Sequence, residues 1–182
     1  MPHLDSLPDQ ATLVDVFKRH PDVSAPLLAM HEAIMRAPSP FSAAEREAIA
    51  AYVSSLNECQ YCQGVHANAA VALGSDGAEV EAICALPERP GDARLAPVLT
   101  YVAKLTTAPA TVSRADVDDI LAAGWDEAAV SAAAFVAALY AFMNRMVEGH
   151  GIKGSDEYYA AGGKRLADIG YAGLAALLAE SS

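Results

Sequence analysis

Basic residues are scarce in this chain: only 12 Lys and Arg stand against 23 Asp and Glu, for a formal net charge of -11. A nucleic-acid surface needs clustered Lys and Arg to hold phosphates, so that partner class is excluded. The same charge disfavours anionic membrane surfaces. Long hydrophobic runs are missing too. The longest, Ala132 to Met143, falls short of the roughly 20 residues that a bilayer span needs. The first residues, MPHLDSLPDQ, have neither the basic start nor the apolar run of a secretion signal, so a cytoplasmic chain is expected. Alternating Val, Ile and Thr runs, the mark of strands, do not occur. Cysteine is limited to three residues, an odd and clustered set. In a reducing compartment that pattern points to catalysis or metal binding rather than a disulfide framework.

What is present is apolar and helical. Hydrophobic residues make up 53% of the 182-residue chain, and charged residues only 19%. The excess is largely alanine, which suits close-packed helices. It exceeds what a monomer readily buries, so a subunit interface is expected. The periodicity predicts helices over Thr12 to Arg19, Ser24 to Met35, Ser42 to Asn57, about Cys59 to Gly74, and Ser75 or Asp76 to Leu86. A loop over Pro87 to Gly91 follows, then helices from Ala93 to Thr106, Ser113 to Gly124 and Asp126 to Glu148. Ser42 with Glu45, and Ser113 with Asp116, read as helix-start signals in which each side chain serves the other's backbone N–H. Gly149 and Gly151 are expected to end the longest helix. A tail of one or two short helices is expected after it, divided by Gly162-Gly163 and Gly170. The fold class is therefore all-α, a single domain of helical hairpins over residues 1–182.

The segment Asn57-Glu58-Cys59-Gln60-Tyr61-Cys62-Gln63-Gly64-Val65-His66 carries the chemistry. Cys59 and Cys62 lie three residues apart at a helix start, a spacing that lets the sulfurs meet in a disulfide. Unpaired N–H groups and the positive helix end there favour thiolate, the nucleophilic form. His66 follows Cys62 by four residues and so shares its helix face, within reach of the thiol proton directly or through one water. A buried base needs an orienting group. In a tight hairpin turning near Glu58, Glu47 and His66 fall within roughly 5 Å of the same level, whereas Glu45 fits less well. Glu47 lies on the side of its helix opposite Ile49, Val53 and Leu56. That side also carries Ala51 and Ser54, which are small enough to admit a neighbouring helix.

Other readings compete. Cys59, Cys62 and His66 would supply three of the four ligands of a structural zinc, leaving Cys84, His31 or His150 to complete it. Cys84 reads as a buried small hydrophobe. His150 reads as a partner of its helix's C-terminal dipole. Asn144 and Arg145 would line a pocket or hold a subunit contact. Gly162-Gly163-Lys164 lacks the spacing of a phosphate loop.

Glu47 followed by Cys59-x-x-Cys62-x-x-x-His66 resembles the signature of the AhpD-like superfamily, which joins alkylhydroperoxidase AhpD, peroxidase-related proteins and carboxymuconolactone decarboxylases. Asn57-x-Cys59-x-Tyr61-Cys62 and the later Phe142-Met143-Asn144-Arg145-Met146-Val147 are most similar to the peroxidase-related branch. The resemblance extends over about Ser24 to Ile152.

It implies an all-α homo-oligomer, trimeric or hexameric, that reduces alkyl hydroperoxides through a dithiol/disulfide cycle in antioxidant defence. It also implies the roles. Cys62 is the peroxidatic thiol, Cys59 its resolving partner, His66 the base and Glu47 the orienting carboxylate. A lipoyl or thioredoxin-like protein would be the reductant, and neither cofactor nor metal is called for. AhpD carries a histidine just before the second cysteine in its proton relay. Here Tyr61 stands there, a poor base near neutral pH. The alternatives are a decarboxylase-like enzyme acting on small ring lactones, and a non-enzymatic zinc-binding or redox-sensing helical module.

Overall fold

The computed structural model describes residues 1–85 and 94–180. The expected loop over Pro87 to Gly91, with Leu86 and Ala93 beside it, lies outside the described residues. Among the described residues there are nine α-helical elements, one short 3-10 turn and no strand: α1 (Leu13–Arg19), α2 (Pro21–Met35), α3 (Ala43–Leu56), α4 (Gln60–Ala72), α5 (Gly77–Ala85), α6 (Ala96–Thr107), α7 (Arg114–Ala122), α8 (Glu127–His150) and α9 (Asp156–Glu180). The 3-10 turn, Pro109–Thr111, links α6 to α7. The helix starts follow their local chemistry. Glu45 accepts the Ser42 N–H and Ser42 accepts the Glu45 N–H at the start of α3, and Asp116 accepts the Ser113 N–H at the start of α7. Helix α2 begins earlier than expected because Pro21, which needs no N–H partner, occupies its first position.

Helix α3 is the centre of the bundle. Every residue from Arg46 to Ser54 is buried, so it has no solvent face. It packs against α4 most extensively, and against α8, α6 and α5. The side of α3 opposite Ile49 and Val53 is therefore also interior, and Glu47 is fully buried. The turn into α4 runs through Glu58, whose φ of 57° lies in the left-handed region that usually favours glycine. Helix α8 is long and apolar enough to span a bilayer by length and composition. It packs against α3, α6 and α2 and buries Asn144 inside the bundle.

The C-terminal segment departs from expectation at one point. Helix runs unbroken through Gly162-Gly163, whereas Gly170, with φ 64° and ψ -168°, divides the Asp156–Glu180 element in two as expected. The paired glycines permit close approach instead of breaking the helix. A Cβ on Gly163 would lie 2.6 Å from the Ala69 nitrogen, and one on Gly64 would lie 2.5 Å from the Tyr159 ring. Helix α9 thus lies directly along α4, in the second most extensive helix contact of the bundle. Gly149 stays inside α8, and only Gly151, with φ of 67°, caps its end.

Candidate active site

The site sits where α4 meets α2, α3, α8 and α9. Cys59 occupies the cap position before α4, and Cys62 and His66 follow on the helix. All three are buried, Cys59 completely. Cys62 and His66 line one cavity of about 80 Å³, together with Phe17, Leu28, His31, Tyr61, Val65 and Leu166 among others. Such a space admits a few water-sized groups and is walled mainly by apolar side chains.

Glu47 meets His66 across the α3–α4 hairpin, with Nδ1 2.6 Å from Oε2. The other carboxylate oxygen accepts the Arg36 Nη2 at 2.7 Å and the Tyr171 hydroxyl at 3.0 Å. Burial by itself would push the Glu47 carboxyl up. The charge and hydrogen bond of His66, then those of Arg36, outweigh it and hold the carboxyl below its ordinary value. An ionised Glu47 accepts at both oxygens, so the proton lies on His66 Nδ1. Nε2 is then the nitrogen left with a lone pair for the cavity that His66 lines. Tyr140 completes the shell. Its hydroxyl lies 2.8 Å from that of Tyr171, and its ring meets His66 edge-on at 4.5 Å. Because Tyr171 donates to Glu47, Tyr140 donates to Tyr171.

The two thiols act chiefly on each other. The Cys62 thiol hydrogen-bonds to Cys59. That bond, with the backbone N–H of Cys62, holds Cys59 below the ordinary thiol range despite its burial. Cys62, the donor in that bond and itself buried, is pushed well above the range, with Asn144 pulling the other way. The first influence on either thiol is its neighbour, so the two titrate as a unit that shares a proton. Access separates them: Cys62 faces the cavity, whereas Cys59 is closed off behind it.

The remaining candidates fall out as follows. Asn144 is buried and ties α8 to the hairpin, donating to Ser54 Oγ and accepting from Asn57 Nδ2, each at 2.9 Å. Arg145 is exposed and donates to the Ala141 carbonyl. His150 donates through Nδ1 to the Met146 carbonyl at 2.7 Å, at the end of its helix. Cys84 is half-buried, and its burial pushes the thiol up to about 11. The Tyr61 hydroxyl pairs with Tyr158 at 3.0 Å, and burial drives its phenol further from ionisation. Among the described residues no three His, Cys, Asp or Glu side chains are grouped to hold a metal ion, so the zinc reading finds no ligand set there.

Sequence reasoning missed Arg36, Tyr140 and Tyr171 as partners of Glu47 and His66, and His31 as a wall of the cavity. Arg36 sits at the C-terminal end of α2, just before the Pro38 break, and that position was its only signal. Tyr171 follows the Gly170 kink, which reads from sequence as a helix end.

The profile of the carboxymuconolactone decarboxylase family matches residues 21–96. No curated protein matches the chain. Among solved structures, an uncharacterized peroxidase-related protein from Silicibacter sp. TM1040 is similar at 28% identity. The match covers 81% of this chain and 78% of that one, with a TM-score of 0.74. An alkylhydroperoxidase AhpD core, an uncharacterized peroxidase-related protein from Ralstonia eutropha JMP134, shares the fold at 22% identity. That match covers 82% of this chain and 78% of the other, with a TM-score of 0.75.

Proposed function

We propose that this chain, whose residues 21–96 match the carboxymuconolactone decarboxylase family and whose fold is that of peroxidase-related proteins, uses Cys62, Cys59, His66 and Glu47 to catalyse the reduction of hydroperoxides through a dithiol/disulfide cycle. The observation that carries this reading is the 2.6 Å bond between Glu47 and His66, with His66 and Cys62 on the wall of one apolar cavity.

Glu47 holds the imidazole with its Nδ1 proton inward, and His66 takes the Cys62 proton on Nε2, directly or through one water. The Cys62 thiolate attacks the distal oxygen of the hydroperoxide. The S–O bond forms, the O–O bond breaks, and the leaving alkoxide takes the proton from His66 to become the alcohol. Cys62 is now a sulfenic acid. Cys59 attacks its sulfur, the S–S bond forms, and oxygen leaves as water. An external dithiol of the lipoyl or thioredoxin-like class then reduces the disulfide by exchange and is itself oxidised. Buried Tyr61, whose phenol burial keeps from ionising, pairs with Tyr158 and shapes the cavity.

The chain acts in this reading as a cytoplasmic homo-oligomer. Phe135 and Phe142, seven residues apart and so on one face of α8, are 61% and 48% exposed, which supports a subunit contact. The test of the chemistry is direct. One equivalent of an alkyl hydroperoxide added to reduced protein should yield a Cys59–Cys62 disulfide by peptide mapping, and Cys62→Ser should abolish peroxide consumption. Absence of that bridge, or peroxide turnover by Cys62→Ser, would overturn the reading. Lactone decarboxylation by a protein lacking both cysteines would revive the decarboxylase alternative.

A further inference from the structure

The mechanism above leaves a buried carboxylate oxygen unused. Glu148 lies four residues after Asn144 on α8, one turn along the same face. Its Oε2 pairs with Lys153 Nζ at 2.8 Å, and that pair is half open to solvent. Its Oε1 is buried and has no hydrogen-bond partner. A carboxylate oxygen in that position normally finds a donor, and its absence calls for an explanation. Asn144, one turn earlier, accepts from Asn57, two residues before Cys59, so Glu148 stands beside that turn, and its charge opposes the ionisation of the buried Cys59 thiol.

That arrangement matters most after the first oxidation. In the reduced pair the Cys62 thiol supplies the bond that eases Cys59 toward thiolate. Once Cys62 is a sulfenic acid that thiol proton is gone. Cys59 is then a fully buried thiol that must lose its proton before it can attack. Neither His66 nor Tyr61 serves it, because both face the cavity, and Cys59 lies behind it.

We propose that Glu148 is the general base for Cys59 in the resolving step. Oε1 takes the Cys59 proton as the Cys59 sulfur forms its bond to the Cys62 sulfur. The Cys62 S–O bond breaks, and the leaving hydroxide takes up one proton from solvent to depart as water, which balances the Cys59 proton that Glu148 releases. Glu148 returns its proton to solvent on the exposed side, where Oε2 meets Lys153. The site thus has two bases for two thiols: His66 with Glu47 on the cavity side of Cys62, and Glu148 with Lys153 on the far side of Cys59.

This inference rests on the disulfide cycle proposed above, and its test separates the two. Reduced protein is mixed with dithiodipyridine, a small neutral disulfide, and thiopyridone release is followed by stopped flow. The first phase is attack by Cys62. The second is attack by Cys59 on the mixed disulfide, the same displacement at sulfur as the resolving step and independent of peroxide. Glu148→Gln should not slow the first phase, since the Glu148 charge opposes ionisation of Cys62 as well, and should slow the second by about tenfold or more. Glu148→Asp should slow it less, and Lys153→Met, which keeps the carboxylate, should retain it. An unchanged second phase in Glu148→Gln, or equal slowing in Lys153→Met, would overturn the assignment. A wild-type protein with no second phase would remove the disulfide cycle itself, and with it any role for Glu148.

Discussion

Glu47 and His66 come from the two arms of one hairpin, 19 residues apart in sequence, and their polar atoms meet at 2.6 Å. The contact is buried on both sides, and the carboxylate that makes it also holds Arg36 and Tyr171. One side chain therefore orients the candidate base and neutralises a largely buried guanidinium.

Glu47→Gln separates these duties. The amide still accepts one hydrogen bond but carries no charge, so the imidazolium formed when His66 takes a proton loses its stabilising partner. Peroxide-dependent disulfide formation should fall by about a hundredfold, within the usual contribution of a positioned base. Arg36, whose charge is only 13% exposed, loses its counter-ion as well. Breaking such a pair from one side costs on the order of 3 kcal/mol. Urea denaturation followed by circular dichroism measures that loss, and single-turnover kinetics the first.

The acid limb of stability has two sources that differ in pH. Burial lowers His31 from its ordinary 6.5 to about 4, against the bond that its Nδ1 donates to the Leu27 carbonyl. The folded protein therefore keeps His31 neutral where the unfolded chain protonates it. The unfolded state binds more protons, so stability rises with pH between about 4 and 6.5. A shift of that size corresponds to about 3 kcal/mol across the window. Glu47, with its carboxyl held below the ordinary value, adds stability that is present above the unfolded carboxylate range and is lost as pH falls through the folded value. His31→Phe keeps a ring against Tyr171 and Tyr140 and removes the titration. It should flatten the slope of unfolding free energy between pH 6.5 and 4 and leave the steeper loss below it. An unaltered slope would assign the limb to other groups.

The helical hairpins and the Cys59-Cys62-His66 spacing were legible because they depend on near neighbours. Capping pairs such as Ser42 with Glu45 act over three residues, and a helix face repeats every three or four. The Glu47 position was legible only through the assumption that α3 and α4 form a tight hairpin. The stripe rule argued against it, because that rule assumes a helix with one wet side, and α3 has none. The α9 partners were not legible. Tyr171 reaches Glu47 over 124 residues, and Glu32 on α2 holds the chain there by accepting the N–H groups of Tyr171 and Ala172, each at 2.9 Å. Nothing local to Gly170 announces those contacts. Gly162-Gly163, which reads as a helix break, serves a contact between helices that only the folded chain reveals.

Two glycines within helices should respond in opposite directions to the same substitution. Gly163→Ala places a methyl against the α4 backbone, 2.6 Å from the Ala69 nitrogen, and must push α9 away. The cost should be about 1–3 kcal/mol, the range for overpacking a close contact. Gly149→Ala, near the end of α8, meets nothing within 4 Å. It should gain up to about 1 kcal/mol from helix propensity. Calorimetric melting of the two variants beside the wild type reads both signs. Equal and small effects would mean that α9 does not lie on α4 as closely as Gly163 allows.

Tyr171→Phe tests whether α9 takes part in the site or merely covers it. The substitution keeps the ring that packs on His31 at 5.1 Å and under Arg36 at 5.0 Å. It deletes the hydroxyl that donates to Glu47 and accepts from Tyr140. Glu47 keeps Arg36 and His66, so its charge state should hold, but the Tyr140 hydroxyl is left buried without its acceptor. A loss of about 1–3 kcal/mol in stability follows, the cost of one unsatisfied buried group. Activity should fall severalfold, well short of Glu47→Gln, because the imidazole keeps its carboxylate. The double variant Tyr171→Phe with Glu47→Gln should lose less than the two single losses combined, since both act on one hydrogen-bonded cluster. Strict additivity in stability and in single-turnover rate would mean that Tyr171 acts independently of Glu47, and that α9 contributes packing alone.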